Sequence, residues 1–409
     1  MASTVKLPFI NHISFLCALQ IPLLVSGPFL PDLMLSILSI FFLIFCIRNN
    51  YYDKFKNIYF IIFVTFCIII IISSLLSNYV YFSLKSSLFY IRIGVFALLI
   101  SYLIDNNKKI LNYFYYSFIF TYAILICDGY YQYFQGENII GIELYHKSRV
   151  SSFFGDELIL GSFLSRTLPL FLALFFIKEK KLIEIYFFPI FLILIFILII
   201  FAGERASLLF LLLSFFLILT LISKYKKIRV FLFVLFVISS SFIFISNDKV
   251  YDRYINSTID SIGLNQKKIN LFSPEHESLF LTAWNIFLDN PILGSGPKTF
   301  RFECQNSEYA KGIMPCQTHP HNFYLQVLAE TGISGFLFLI GTFFFTIFSL
   351  IRHFCIKIFK NQVTLTNYQI CLFVGLFITV WPITTNGSFF TNYLMIMYSL
   401  QIGFFRNKV

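Results

Sequence analysis

Residues 316–322 read Cys-Gln-Thr-His-Pro-His-Asn, and their two histidines are the side chains best suited to acid–base chemistry. An imidazole titrates near neutrality, so a neutral ring can take a proton from a weakly nucleophilic hydroxyl. A loop histidine that merely bonds the backbone is the alternative for His319 and His321 alike. Arginine forks phosphate oxygens and stays charged. Arg205 follows Gly203-Glu204 at the start of an apolar run, where a helix N-terminus adds positive potential, and Arg301 follows a Gly-x-Gly stretch. Each could hold a phosphate; a snorkelling anchor or a solvated loop charge would look the same. Arg92 and Arg166 fall inside apolar runs, where a charge faces a cavity or a partner. Cys304 and Cys316, twelve residues apart in one polar loop, pair if that loop faces an oxidising space; two free thiols are the alternative. A disulfide accounts for them more simply than a metal held with His319 and His321, so no metal site is expected. The other six cysteines lie in or beside apolar runs and suit packing.

The elements that position these groups are those of a membrane protein. The 409 residues are 58% hydrophobic and 12% charged, against roughly a quarter charged in soluble domains. An all-α polytopic fold is expected, with about twelve transmembrane helices near 11–27, 30–47, 57–77, 84–104, 110–127, 158–177, 183–202, 205–223, 230–246, 333–351, 365–383 and 388–405. The apolar run 183–223 would be about 60 Å long as one helix, twice the bilayer core, so it must turn at Gly203-Glu204-Arg205. The first stretch lacks a clear cleavage site and reads as a retained helix.

The net charge of +11 would suggest nucleic acid in a soluble chain. Here 18 of the 31 Lys and Arg lie in short segments on one side: Lys6, 48–56, Lys108 and Lys109, 178–181, 224–229, 352–360, and Arg406 with Lys408. That places this side and both termini in the cytoplasm and excludes nucleic acid as the expected partner. The chain divides into helices 1–5 (1–127), a first outer loop (128–157), helices 6–9 (158–246), a large, partly helical outer loop with the histidines (247–332), and helices 10–12 (333–409). Leu325 and Leu328, with Tyr324, have the spacing of a short helix at 323–330, and Gly332 and Gly335 mark a kink before the next span.

His321-Asn322, nine residues, then Gly332-Ile333-Ser334-Gly335 resembles the signature of the O-antigen ligase family. The preceding DNPILGSGPKTF is similar to that family's lead-in, and GYYQYF with RVSSFFGDELILGSFLS resembles its first outer loop. The resemblance implies a glycosyltransferase at the periplasmic face of a bacterial inner membrane, using neither metal nor nucleotide. It would move a glycan from a polyprenyl diphosphate carrier to a hydroxyl of lipid A-core or another glycan acceptor. It makes His321 the general base, supports Arg205 as a diphosphate ligand, and leaves Arg301 and Arg92 as further candidates. His319, Asn322 and Glu330 become supporting residues, Glu330 being otherwise a solvated helix residue. Polysaccharide polymerases share the donor and much of the signature, and a lipid-linked glycan transporter is the more distant alternative. One departure stands out. Members of the family commonly carry an arginine shortly before the large-loop tryptophan helix, here HESLFLTAWNIFLDNP, yet the nearest basic residue is His276, with Arg253 further upstream.

Overall fold

The computed structural model describes residues 7–145, 148–177, 182–263 and 270–405. Lys6, Lys178, Lys180, Lys181, Arg406 and Lys408, used above for orientation, lie outside them. The helices are α1 (Ile10–Ala18), α2 (Gln20–Leu23), α3 (Phe29–Arg48), α4 (Ile58–Leu75), α5 (Val80–Ser87), α6 (Ile91–Asn106), α7 (Lys109–Gln135), α8 (Leu160–Ile177) and α9 (Leu182–Phe201). They continue as α10 (Arg205–Leu221), α11 (Lys226–Ser246), α12 (Asp248–Tyr251), α13 (Ser257–Ile262), α14 (Pro274–Asp289), α15 (Phe300–Glu303), α16 (Phe323–Lys360), α17 (Asn367–Thr379) and α18 (Asn392–Phe405). Among the described residues there are two isolated bridges in the first loop and no strand. The protein is an all-α polytopic membrane protein. Every expected span falls on helix, and seven stretches among the described residues are long and apolar enough to cross a bilayer: α3, α4, α5–α6, α7, α8, α11 and α16.

Several boundaries differ from the sequence reading, and α16 runs on to Lys360, past the expected end at 351. α7 runs on to Gln135, past the expected end at 127, because its last turns use polar side chains to hold the first loop. Buried Asp128 accepts from Ile139 N at 3.0 Å, and Gln132 Oε1 accepts from Ser151 N and Ser152 N at 3.0 and 2.7 Å. Polarity that resembles a loop is here a helix end satisfying buried backbone. At the other end of the chain α17 stops at Thr379, leaving a loop over 380–391.

The chain turns at Gly203 (φ 68°) between α9 and α10, as the run length requires. The connections 76–79, 136–145 with 148–159, 202–204, 247–263 with 270–322, and 380–391 gather at one end of the bundle: Asn78 Nδ2 donates to Glu303 Oε1 at 3.3 Å, Arg149 Nε to Ala202 O at 3.1 Å, Arg253 Nε to Gly203 O at 2.9 Å and Asn386 N to His321 O at 2.7 Å. A small core separate from the main one anchors that layer: Leu279, Ala283 and Ile286 of α14 pack on Phe300, Cys304 and Ala329. Beneath it two backbone segments cross at van der Waals distance. Ser295 N and Gly296 N donate to Ala329 O and Glu330 O at 3.0 and 2.9 Å, while Ile333 N and Ser334 N donate to Pro291 O and Ile292 O at 2.9 and 3.3 Å. Gly332 interrupts α16 with φ 62°, ψ −165°. A Cβ there would lie 2.6 Å from Leu293 N and closer still to the Ile292 carbonyl. The glycine of the signature is therefore the point at which the lead-in segment crosses the helix.

Candidate active site

Asn322 builds the local frame of the histidine loop. Its Oδ1 accepts from Tyr324 N and Leu325 N at 3.0 and 3.1 Å, capping α16, while its Nδ2 donates to Pro382 O and Thr384 O at 2.9 and 3.3 Å. One residue earlier, His321 sits in the left-handed region (φ 56°), and its carbonyl accepts from Asn386 N at 2.7 Å. A non-glycine residue held there is unusual, and such strain concentrates at working sites. The His321 ring has Nε2 3.1 Å from Gln317 Oε1 and lies between two other imidazoles: His319, with ring centres 4.1 Å apart, and His276 of α14 at 5.6 Å. His276 Nδ1 is in turn 2.7 Å from Ser273 Oγ.

Burial and mutual repulsion keep these rings neutral. Burial, aided by the charge of His321, holds His319 down to about 4. Burial also lowers His321, with His276 adding to it. His276 is lowered by burial too, Glu275 opposing and Arg205 adding to the effect. The sequence reading named His319 and His321; it missed His276, whose place beside them depends on folding α14 back over the loop.

Arginines flank the cluster. On the His276 side, Arg205 Nη1 donates to Ser257 O, Thr258 Oγ1 and Ser261 Oγ at 3.2–3.3 Å. Arg253 Nε donates to Gly203 O at 2.9 Å and Arg149 Nε to Ala202 O at 3.1 Å, so two guanidinium groups meet at the α9–α10 turn, and the Arg253 charge acts on Arg205 as well. Burial and then the Arg253 charge lower the Arg149 pKa. On the His319 side, Arg301 lies over the Phe82 ring, 5.4 Å from its centre, and its charge acts on His319 and on Lys298. Arg149, Arg205, Arg253 and Arg301 have no carboxylate within ion-pair distance among the described residues, where the ion pairs are Lys54–Asp105, Lys56–Asp53 and Arg92–Asp32. The carboxylate of Glu204 accepts from Gly161 N (2.7 Å), Ser162 N (3.1 Å) and Ser207 Oγ (2.8 Å), and its charge acts on Arg149 without an ion pair. Fixed cations are what a phosphate-bearing leaving group requires.

Other sequence candidates take structural places. Arg92 is offset by Asp32 at 2.6 Å. Glu330 does not face the histidines: fully buried, it accepts from Phe300 N at 3.1 Å and Gln326 Nε2 at 3.0 Å, fastening the segment that carries Lys298 and Arg301. Cys304 and Cys316 form a disulfide joining α15 to the histidine loop. Arg166, only 3% exposed, donates to Ser162 Oγ (3.1 Å), Thr379 O (3.3 Å) and Asn386 Oδ1 (2.5 Å), and so holds the residue whose N–H fixes the His321 carbonyl. No group of three or more potential metal ligands occurs among the described residues.

Residues 190–340 match the family model described as O-antigen ligase. That stretch is similar to the O-antigen ligase family. No curated protein matches the chain. The matched stretch begins within α9, crosses the Gly203 turn and ends in α16, so it contains Arg205, Arg253, all three clustered histidines, Arg301 and Gly332. Arg92, Arg149, Arg166 and Asn386 reach it from outside. The sequence reading named Arg253 without a role and did not name Arg149, because 50 and 53 residues separate them from the carbonyls they bind; an arginine in a polar loop carries no local signal of such a partner.

Proposed function

We propose that this protein is an O-antigen ligase-type glycosyltransferase, working on the outer side of a bacterial inner membrane. Carrier-linked glycan binds with its diphosphate among the unpaired guanidinium groups, Arg205 and Arg253 on one side of the histidines and Arg301 with Lys298 on the other. Arg253 thereby supplies in space the arginine that the sequence lacks before α14. Arg92, neutralised by Asp32, contributes little direct charge. His321 takes the proton of an acceptor hydroxyl, its oxygen bonds to the anomeric carbon in line with the leaving group, and the bond from that carbon to the diphosphate oxygen breaks with inversion. The carrier diphosphate departs with the bonding electrons, stabilised by the fixed cations. A neutral ring is the form a base needs, and burial keeps it neutral in the free enzyme; the bound diphosphate raises its affinity for a proton when the transfer requires it. His319 and His276 shape the cluster, Asn322 fixes the loop, and no metal or nucleotide takes part.

The observation that carries this reading is the left-handed, doubly anchored His321 beside Arg205, Arg253 and Arg301, which have no carboxylate within ion-pair distance among the described residues. The test is the surface glycolipid ladder of a deletion strain. Bare acceptor with polymer accumulating on the carrier supports the ligase. Acceptor bearing a single repeat unit would make the protein a polymerase, and carrier-linked glycan retained on the inner leaflet would make it a transporter.

A further inference from the structure

The last three turns of α14 are apolar on two opposite faces. One carries Leu279, Ala283 and Ile286 into the small core of the loop layer. On the other, Leu281, Trp284 and Leu288 are 53%, 44% and 58% exposed, and the strip continues into Ile292. A helix surrounded by water would carry polar residues there. Ile292 is seated against Gly332, and its carbonyl accepts from Ser334 N at 3.3 Å. It is therefore level with the start of the spanning part of α16, whose Ile333 and Leu337 are exposed on the face a bilayer covers. The strip on α14 is thus continuous with the hydrocarbon-facing surface, and a tryptophan lies within it, the side chain most enriched where apolar and polar zones of a membrane meet.

We propose that α14 is an interfacial helix, its Leu281–Trp284–Leu288 face resting on the lipid surface at the loop-rich end of the bundle. Bilayer lipid is the occupant, since the strip joins a face that lipid already covers. The opposite end of α14 holds His276, so one rigid helix of about 24 Å links the membrane surface to the histidine cluster. The cluster is thereby held at a fixed height above the leaflet, within reach of a lipid-anchored substrate. The placement does not depend on the reaction assigned above.

The chain contains two tryptophans, Trp284 and Trp381. Trp381→Phe leaves Trp284 as sole reporter; because Trp381 packs on Phe343 and Phe377, the difference in emission between wild type and Trp284→Phe gives the same signal if that variant folds poorly. Full-length protein is reconstituted in phosphatidylcholine vesicles whose acyl chains are brominated near the headgroup or near the chain end, and is separately exposed to aqueous iodide. The proposal predicts that Trp284 loses most of its emission to the shallow bromines, less to the deep ones and little to iodide. Strong iodide quenching with no effect of either bromolipid would overturn it in favour of a water-facing helix, and little quenching by iodide or by either bromolipid would overturn it in favour of a protein-covered one. Stronger quenching by the deep bromines would overturn the interfacial placement.

Discussion

Replacing Gly332 by alanine tests whether the segment crossing sets the site. The residue has φ 62°, ψ −165°, a region open essentially to glycine, and forcing alanine into it costs about 1–3 kcal/mol. The added Cβ would meet backbone rather than a yielding side chain: Leu293 N at 2.6 Å, and the Ile292 carbonyl closer still. Relief requires the segments around 291–296 and 329–334 to part, and four backbone hydrogen bonds hold them. Losing two of these at about 0.5–1.5 kcal/mol each brings the total to roughly 2–6 kcal/mol. Lys298, Phe300 and Arg301 hang on the same segment, so the cationic side of the site would shift with it. Thermal unfolding in detergent and glycan transfer in membrane vesicles should both fall, transfer by roughly 30-fold or more if about 2 kcal/mol of local order is lost. Gly341→Ala is the control: it lies in the same helix with no atom within 4 Å of the new Cβ, and it should leave both readouts unchanged. Wild-type stability and transfer in Gly332→Ala would refute the argument that this crossing is the scaffold of the site.

The acid limb of kcat/KM should lie below the ordinary histidine range near 6.5, because burial lowers His321 in the free enzyme, whereas the acid limb of kcat should lie higher, because bound diphosphate favours the imidazolium; a rate–pH series checks both. Stability has the same sign: His319 is lowered from 6.5 to about 4, so the unfolded chain binds the extra proton in that window and the fold should weaken as pH falls from about 6.5 towards 4, read by melting temperature. Cys304→Ser with Cys316→Ser opens a loop of separation 12, removing about 3 kcal/mol in the chain-entropy view, and should loosen the loop layer, seen as faster proteolysis between 304 and 321 and reduced transfer. Arg166→Lys keeps the charge but not the fork to Asn386 and Thr379, and should lower kcat at least tenfold while donor affinity stays near wild type.

What was legible in the chain was local. The hairpin at Gly203 followed from comparing run length with bilayer thickness, and the break at Gly332 from a glycine at a helix-to-span junction. The polar ends of α7 were mistaken for loop because Asp128 and Gln132 look solvated until their backbone partners are known. Glu330 likewise reads as a surface residue, yet it is buried and fastens Phe300. The convergence of Arg149 and Arg253 on one turn, the backing of His321 by the 380–391 loop and the approach of His276 all join segments far apart in the chain. Periodicity and capping report on neighbours in sequence and are silent about such meetings.

The central claim is that His321 carries the proton in glycan transfer. Purified wild type, His321→Ala and His321→Gln, reconstituted with a polyprenyl diphosphate-linked glycan and an acceptor, should bind donor equally. In a single-turnover assay both variants should lose transfer by about 100-fold or more, the range expected of a removed general base. Transfer within a few-fold of wild type in folded His321→Ala would contradict the account and leave the histidine loop a structural element.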